Sequence, residues 1–222
     1  MKIDILTLFP ESFSYLDSSI LKRAKENGIL EINVIDIRQF SKDKHKKCDD
    51  YPFGGGAGML MTAQPIYDAV KSVQKDNSHI VFASPSGHKL SVAAAQELSQ
   101  KEHIIFICGH YEGVDQRVLD LLKPQEISIG DYVLTGGELP TMVIIDCLSR
   151  FIDGVITKES LDEESFSSGS LEYPQYTRPQ VFEGLAVPDV LVSGNHQEIS
   201  KWRKQQSEEK TKIVRPDLLK NE

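Results

Sequence analysis

The chain has 222 residues, with 25 lysines and arginines against 33 acids for a formal net charge of −8, and 40% of its residues are hydrophobic, the balance of an ordinary globular protein with ample material for a core. No apolar stretch approaches the ~20 residues that span a bilayer, Met1-Lys2-Ile3-Asp4-Ile5 lacks an apolar signal region, and the widely spaced Cys48, Cys108 and Cys147 argue against a disulfide framework, so a cytoplasmic protein outside the membrane is expected. The acidic balance disfavours indiscriminate adhesion to nucleic acid but leaves room for a local basic surface.

Residues 3–9 read as a strand, and 19–27 as a helix ending at Gly28, a residue suited to the position just past a helix C-terminus. A second strand is expected over 30–37 and a helix over 63–73. Then follow 79–83 (strand), 91–98 (helix), 103–108 (strand), 114–122 (helix), 126–129 (strand) and 138–151 (helix). Continuous apolar runs such as Ile104-Ile105-Phe106-Ile107-Cys108 imply strands buried on both faces, as in a parallel sheet covered by helices. This predicts an α/β domain.

The character changes near Asp153. Residues 158–169 are polar, with few apolar positions and no clear period, the composition of a mobile linker. Beyond it, 197–207 is expected to be helical, preceded by the turn and cap Ser193-Gly194-Asn195-His196. Pro216 is placed to open a last short helix. From His196 to Glu222 there are seven basic residues against five acids, so this tail is locally positive.

Ten of the fifteen glycines fall between Gly54 and Gly137, mostly in clusters: Gly54-Gly55-Gly56-Ala57-Gly58, Gly109-His110-Tyr111-Glu112-Gly113, and Gly130-Asp131-Tyr132-Val133-Leu134-Thr135-Gly136-Gly137. Glycine lets backbone approach a ligand closely. The last two clusters follow successive strands, where an open α/β sheet binds ligands, and each carries an acid and a tyrosine. A dinucleotide fingerprint and a phosphate loop ending in Gly-Lys-Ser/Thr are both lacking, so a small ligand held by backbone groups fits better. His45 and Cys48, three apart, do not make a zinc site, and no metal ligand is assigned. Cys108 and Cys147 read as packed thiols. The lysine-rich loop 42–47 reads as solvated, Glu138 as a first-turn acid and Asp146 as a surface or interface charge.

Asp50-Tyr51-Pro52-Phe53-Gly54-Gly55-Gly56-Ala57-Gly58-Met59, Cys108-Gly109-His110-Tyr111-Glu112-Gly113 and Ser128-Ile129-Gly130-Asp131-Tyr132-Val133-Leu134-Thr135-Gly136-Gly137-Glu138 resemble the bacterial tRNA (guanine-N1)-methyltransferases of the TrmD family, as do Tyr176-Thr177-Arg178-Pro179 and Ser193-Gly194-Asn195-His196. The resemblance runs from Met1 to Arg215-Pro216-Asp217-Leu218-Leu219. It implies a SPOUT-type α/β fold, a parallel sheet with a deep trefoil knot plus a small, mainly helical C-terminal domain, and a homodimer. Its domains would be 1–157, knotted and binding S-adenosylmethionine; 158–175, a flexible linker; and 176–222, binding tRNA. General topology rules argue against a knot, and nothing in the periodicity points to one.

By resemblance, the S-adenosylmethionine loops are Ser84 and Pro85; Gly109, Tyr111, Glu112 and Gly113; and Ile129, Gly130, Asp131, Tyr132, Val133, Leu134, Gly136, Gly137 and Pro140. A side chain at Gly109 or Gly137 would then occupy ligand space, and a carboxylate such as Glu112 suits the ligand's cationic end. Guanine N1 carries a proton at neutral pH, so a base must remove it and a cation should steady the charge that develops on O6. The resemblance assigns the cation to Arg150 and the base to Glu164, in Glu164-Ser165-Phe166, where the family carries Asp-Ser-Phe. Asp162, two residues away, is the alternative base, and the resemblance also suggests Mg²⁺ as an assisting ion. Two other readings stay open: a non-catalytic RNA-binding relative of the same fold, and an α/β enzyme that holds another nucleotide at these loops.

If the basic tail grips RNA phosphates, neutral substitution of Lys201, Arg203, Lys204 or Arg215 will lower the salt slope of log K for tRNA by about 0.7–0.9 per lost contact. Filter binding across salt concentrations reads this directly. A slope equal to that of the wild type places the phosphate contacts elsewhere.

Overall fold

The computed structural model describes residues 1–157, 164–166 and 169–219. They form two compact units, Met1–Ile156 and Thr157–Glu222, each treated by itself. Asp162 lies outside the described residues.

The first unit is built on strands β1 (Lys2–Thr7), β2 (Glu31–Asp36), β5 (Ser78–Lys89), β6 (His103–Ile107) and β7 (Gln125–Ser128). They lie in the order β2-β1-β6-β5-β7, and every pairing is parallel. Alternate residues of each central strand enter different cores. Ile104 and Phe106 of β6 join Ile3, Ile5 and Val81 on one face, whereas Ile105 and Ile107 join Leu6, Ile80 and Phe82 on the other. That is why these strands read as unbroken apolar runs. Helices α1 (Ser19–Glu26), α3 (Val92–Ser99) and α5 (Glu138–Ser149) cover the first face; α2 (Ala63–Val73) and α4 (Gln116–Leu122) cover the second. Each fully buried aliphatic or Phe side chain contributes about 1.5–3 kcal/mol.

At the N-terminal ends of the strands a buried polar chain ties the sheet laterally. Asn33 donates to Asp4 (2.9 Å), His103 Nε2 lies 2.8 Å from the same carboxylate, and His103 Nδ1 lies 2.7 Å from Ser78 Oγ. Asp4 is thereby buried with partners from β2 and β6, as a buried charge requires.

The opposite ends of the strands are less regular. β5 pairs with β7 up to Ala83 opposite Ile127, loops out over residues 84–87, and resumes with His88 opposite the same Ile127. The strand expected over 79–83 therefore continues past a four-residue excursion. After β7, at the sheet edge, the chain returns to the middle: Gly137 N–H donates to Gly109 O (2.7 Å), beyond the end of β6, and Glu138 accepts from Thr7 Oγ1 at the end of β1 (2.8 Å). Glu138 is thus a buried anchor, not simply the first-turn acid expected.

Two boundaries have clear local causes. Ser91 caps α3 by accepting from Ala94 N–H. α4 starts at Gln116, two residues later than expected, because Asp115 accepts from Arg117 N–H while Val114 forms a bridge to Met61. Short elements outside the sequence reading include 3₁₀ turns at Pro10–Asp17 and Ile37–Phe40 and the small antiparallel pair β3 (Asp49–Asp50) with β4 (Leu60–Met61).

The second unit holds a hairpin of β8 (Val181–Phe182) and β9 (Leu185–Ala186), then α6 (Asp189–Val192), α7 (His196–Val214) and a 3₁₀ turn, Pro216–Leu219. Asn195 caps α7 by accepting from Glu198 N–H. The helix outruns the expected 197–207 because nothing in Glu208-Glu209-Lys210-Thr211-Lys212-Ile213-Val214 breaks it before Pro216. Residues just before the hairpin are tied to α7: Ser207 donates to Leu171 O (2.6 Å), and Leu171 N–H donates to Thr211 Oγ1 (2.9 Å). Among the described residues no helix is long and apolar enough to cross a membrane.

Thr7→Val removes the one hydroxyl donor to a buried carboxylate, so it should destabilise the first unit by about 1–3 kcal/mol. Urea unfolding followed by circular dichroism measures this; an unchanged midpoint would show that Glu138 needs no such partner.

Candidate active site

A cavity of about 420 Å³ opens at the C-terminal ends of β5, β6 and β7. Its walls are the excursion in β5 (Ser84, Pro85, Ser86), the turn after β6 (residues 109–114) and the loop after β7 that runs into α5. The turn after β6 is sharp: Tyr111 and Gly113 take φ of +59° and +129°, and Gly113 N–H donates to His110 O (3.1 Å). It is held from outside, since Glu112 N–H donates to Met59 O and Met61 N–H to Gly113 O. In the third wall, Gly130 N–H donates to Ser128 Oγ and Tyr132 OH to Ile129 O. Phe82 and Ile127 close the floor between these loops.

Of the loop residues singled out in the sequence, Ser84, Pro85, Gly109, Tyr111, Glu112 and Gly113 line this cavity. So do Ile129, Gly130, Tyr132, Val133, Leu134, Gly136, Gly137 and Pro140. Asp131 does not; its exposed carboxylate pairs with Lys89 Nζ at 2.6 Å, across to the resumed half of β5. Lining residues that the sequence reading did not single out include His110, Gln116 and Glu126. His110 stood inside a quoted motif, whereas Glu126 read only as part of a strand.

The structure adds a packing reason for the glycines beside that of ligand space. A Cβ on Gly137 would come within 2.8 Å of Gly109 N and 2.9 Å of Cys108 Cα, so two backbone segments press together there. A Cβ on Gly109 would meet the Phe82 ring at 3.1 Å. Both glycines thus take part in the packing of the cavity wall that they also line.

The charge of the lining is one-sided. Among the described residues it contains the carboxylates Glu112 and Glu126 and no lysine or arginine. Such a wall repels phosphates and favours a cationic ligand. Burial raises the Tyr111 phenol, keeping it protonated. It also raises the thiols of Cys48, Cys108 and Cys147, which favours their protonated forms. Among the described residues no group of three or more His, Cys, Asp or Glu is placed to hold a metal ion. Loop 42–47 is organised locally by Asp43, which accepts from His45 and Lys47 N–H groups and has its pKa lowered by those bonds.

Arg150 ends α5 and lines a small cavity of about 80 Å³ with Tyr15, Asp146 and Ser149. Tyr15 OH donates to Asp146 Oδ2 (2.9 Å). Glu164 belongs to the second unit, as does a cavity of about 510 Å³ lined in part by Tyr173, Tyr176, Arg178 and Arg203. There the Arg203 guanidinium lies 4.8 Å from the centre of the Tyr173 ring. Of the other tail cations, Arg215 pairs with Asp217 (2.6 Å), Lys204 lies 4.0 Å from Glu208, and Lys201 is exposed.

A family model described as tRNA (Guanine-1)-methyltransferase TrmD matches residues 1–221. The chain is 55% identical over 226 residues to the tRNA (guanine-N(1)-)-methyltransferase of Clostridioides difficile, covering 99% of this chain and 98% of that protein. It is 58% identical over 222 residues to the one so named from Carboxydothermus hydrogenoformans, covering 99% and 88%. With the one from Caldicellulosiruptor saccharolyticus the identity is 55% over 221 residues, covering 99% and 90%.

Because Gly137 abuts backbone, which cannot swing aside, Gly137→Ala should cost about 1–3 kcal/mol in stability and weaken ligand binding in parallel. Thermal melting together with calorimetric titration separates the two effects. Normal stability with lost binding would return the glycine to the role of clearing ligand space.

Proposed function

The chain belongs to the tRNA (guanine-1)-methyltransferase TrmD family, and on that premise we propose that it transfers a methyl group from S-adenosylmethionine to N1 of the guanine 3′ of the anticodon, position 37, in tRNA. The observation that carries this reading is the cavity wall, with Glu112 and Glu126, abundant backbone groups and, among the described residues, no basic side chain. That wall suits a nucleoside bearing a sulfonium and an ammonium better than a nucleotide bearing phosphates. A buried His110 Nδ1 without a hydrogen-bond partner among the described residues adds a polar atom that such a ligand satisfies. The volume lies in the range of small-molecule sites.

S-adenosylmethionine, when bound, supplies the methyl group. In this reading Ser84, Pro85, Gly109, Tyr111, Glu112, Gly113, residues 129–134, Gly136, Gly137 and Pro140 hold it, with Asp131 acting from the rim through its pair with Lys89. Glu164 takes the proton from guanine N1, and Arg150 donates to O6 as negative charge develops there. The second unit grips the tRNA. Its stacked Arg203 and Tyr173 and the cavity beside Arg178 and Tyr176 support that role, since aromatic and guanidinium planes accept unstacked bases.

The finer architecture follows the same reading: domains at 1–157 and 176–222 joined by the segment 158–175, of which residues 158–163, 167 and 168 lie outside the described residues, a deep trefoil knot, a homodimer and a cytoplasmic location. The return of the chain after β7 to the ends of β6 and β1 supports the knot. The exposed Leu139 and Val143 on α5, with Tyr15 nearby in the fold, support a second copy packing there. Mg²⁺ enters no step here.

Glu164→Gln should lower methyl transfer to tRNA by roughly 10²–10⁴-fold with S-adenosylmethionine affinity unchanged. Glu164→Asp, which restores the family residue, should remain active. If Asp162→Asn abolishes transfer and Glu164→Gln does not, the base lies two residues earlier. Wild-type protein that binds both ligands and transfers nothing would be a non-catalytic relative.

A further inference from the structure

The cavity of about 510 Å³ in the second unit has a chemistry opposite to that of the cavity in the first. Its lining is drawn from the segment 173–180, from Val187, and from α6 and α7. That segment is pinned at both ends: Lys210 Nζ on α7 donates to Glu172 O (3.1 Å), and Val187 N–H donates to Gln180 O (2.9 Å). Among the described residues the lining includes the guanidinium groups of Arg178 and Arg203 and no carboxylate. Two tyrosine rings stand with them. The Arg203 guanidinium lies 4.8 Å from the centre of the Tyr173 ring, and the Tyr176 ring, 48% exposed, lies 6.3 Å from that of Trp202. Leu191 of α6 and Ile199 of α7 add an apolar part.

Each feature narrows the choice of guest. Two guanidinium groups with no acid in the lining favour an anion. A guanidinium stacked on one ring, with a second ring half-exposed, favours a flat π-system. A single nucleotide supplies both, whereas an apolar peptide segment supplies neither. A base inside a helix is stacked and out of reach, so the nucleotide must be one that leaves its stack, which costs least in a single-stranded part of an RNA. We propose that this cavity takes one unstacked nucleotide of the tRNA, its base against Tyr176 and the Tyr173–Arg203 pair and its phosphate at Arg178. The enzyme then splays out a second nucleotide besides the guanine it methylates, and the second unit holds RNA by a pocket as well as by charge. The inference rests on tRNA being the substrate.

The test is filter binding of tRNA across salt concentrations. Tyr176→Leu should weaken tRNA by roughly tenfold to a hundredfold, the worth of one base stack, with the salt slope of log K unchanged because no phosphate contact is lost. Tyr176→Phe keeps the ring and should bind as the wild type does. Arg178→Gln should instead lower the slope by about 0.7, the value for one phosphate of a single strand. Both side chains are exposed, so the fold tolerates each change, and a circular-dichroism melt equal to that of the wild type certifies it. Undiminished affinity in Tyr176→Leu, an equal loss in Tyr176→Phe, or a lowered slope in Tyr176→Leu overturns the nucleotide pocket; continued methylation of tRNA by the wild type then leaves the methyltransferase reading standing. If the wild-type protein neither binds nor methylates tRNA, that reading falls, and the pocket with it.

Discussion

The backbone contact between Gly137 and Gly109 governs the rest of the first unit. It brings a chain that has just finished an edge strand back to the centre of the sheet, where a hydrogen bond of 2.7 Å locks the two segments. The cavity wall after β7 exists because of that return, and so does the position of α5. Thr7 and Glu138 fasten the same junction from the side of β1, at the cost of burying a carboxylate that one hydroxyl must keep satisfied.

Electrostatic economy runs through the chain. The charges of this acidic protein are distributed unevenly: the first unit has a pocket walled by carboxylates, and the second carries guanidinium groups placed on aromatic rings or beside acids.

The sequence announced whatever depends on local chemistry. β1 and β6 were legible because both faces of each are buried, and α2 because its apolar spacing is helical throughout. The resumption of β5 after its excursion was not, since His88 and Lys89 are polar and owe their pairing to Ile127 and Ser128 on a strand nearly forty residues away. The misfit at Asp131 follows from the same cause, because Lys89 reaches it only through that resumption. Two of the three glycine clusters line the cavity and Gly54–Gly58 does not, and contacts distant in the chain, as at Gly137, decide which backbone each glycine meets. His110 had a motif around it and no local sign that one buried nitrogen would lack a partner among the described residues.

The thiols carry one further consequence. Cys48 and Cys108 are both buried, and they sit in different cores, on opposite faces of the sheet. With both held protonated, alkylating reagents and mild oxidants reach them only when the layer that covers each one opens. The chain thus contains two independent clocks for its own breathing, and their labelling rates report which face of the sandwich loosens first.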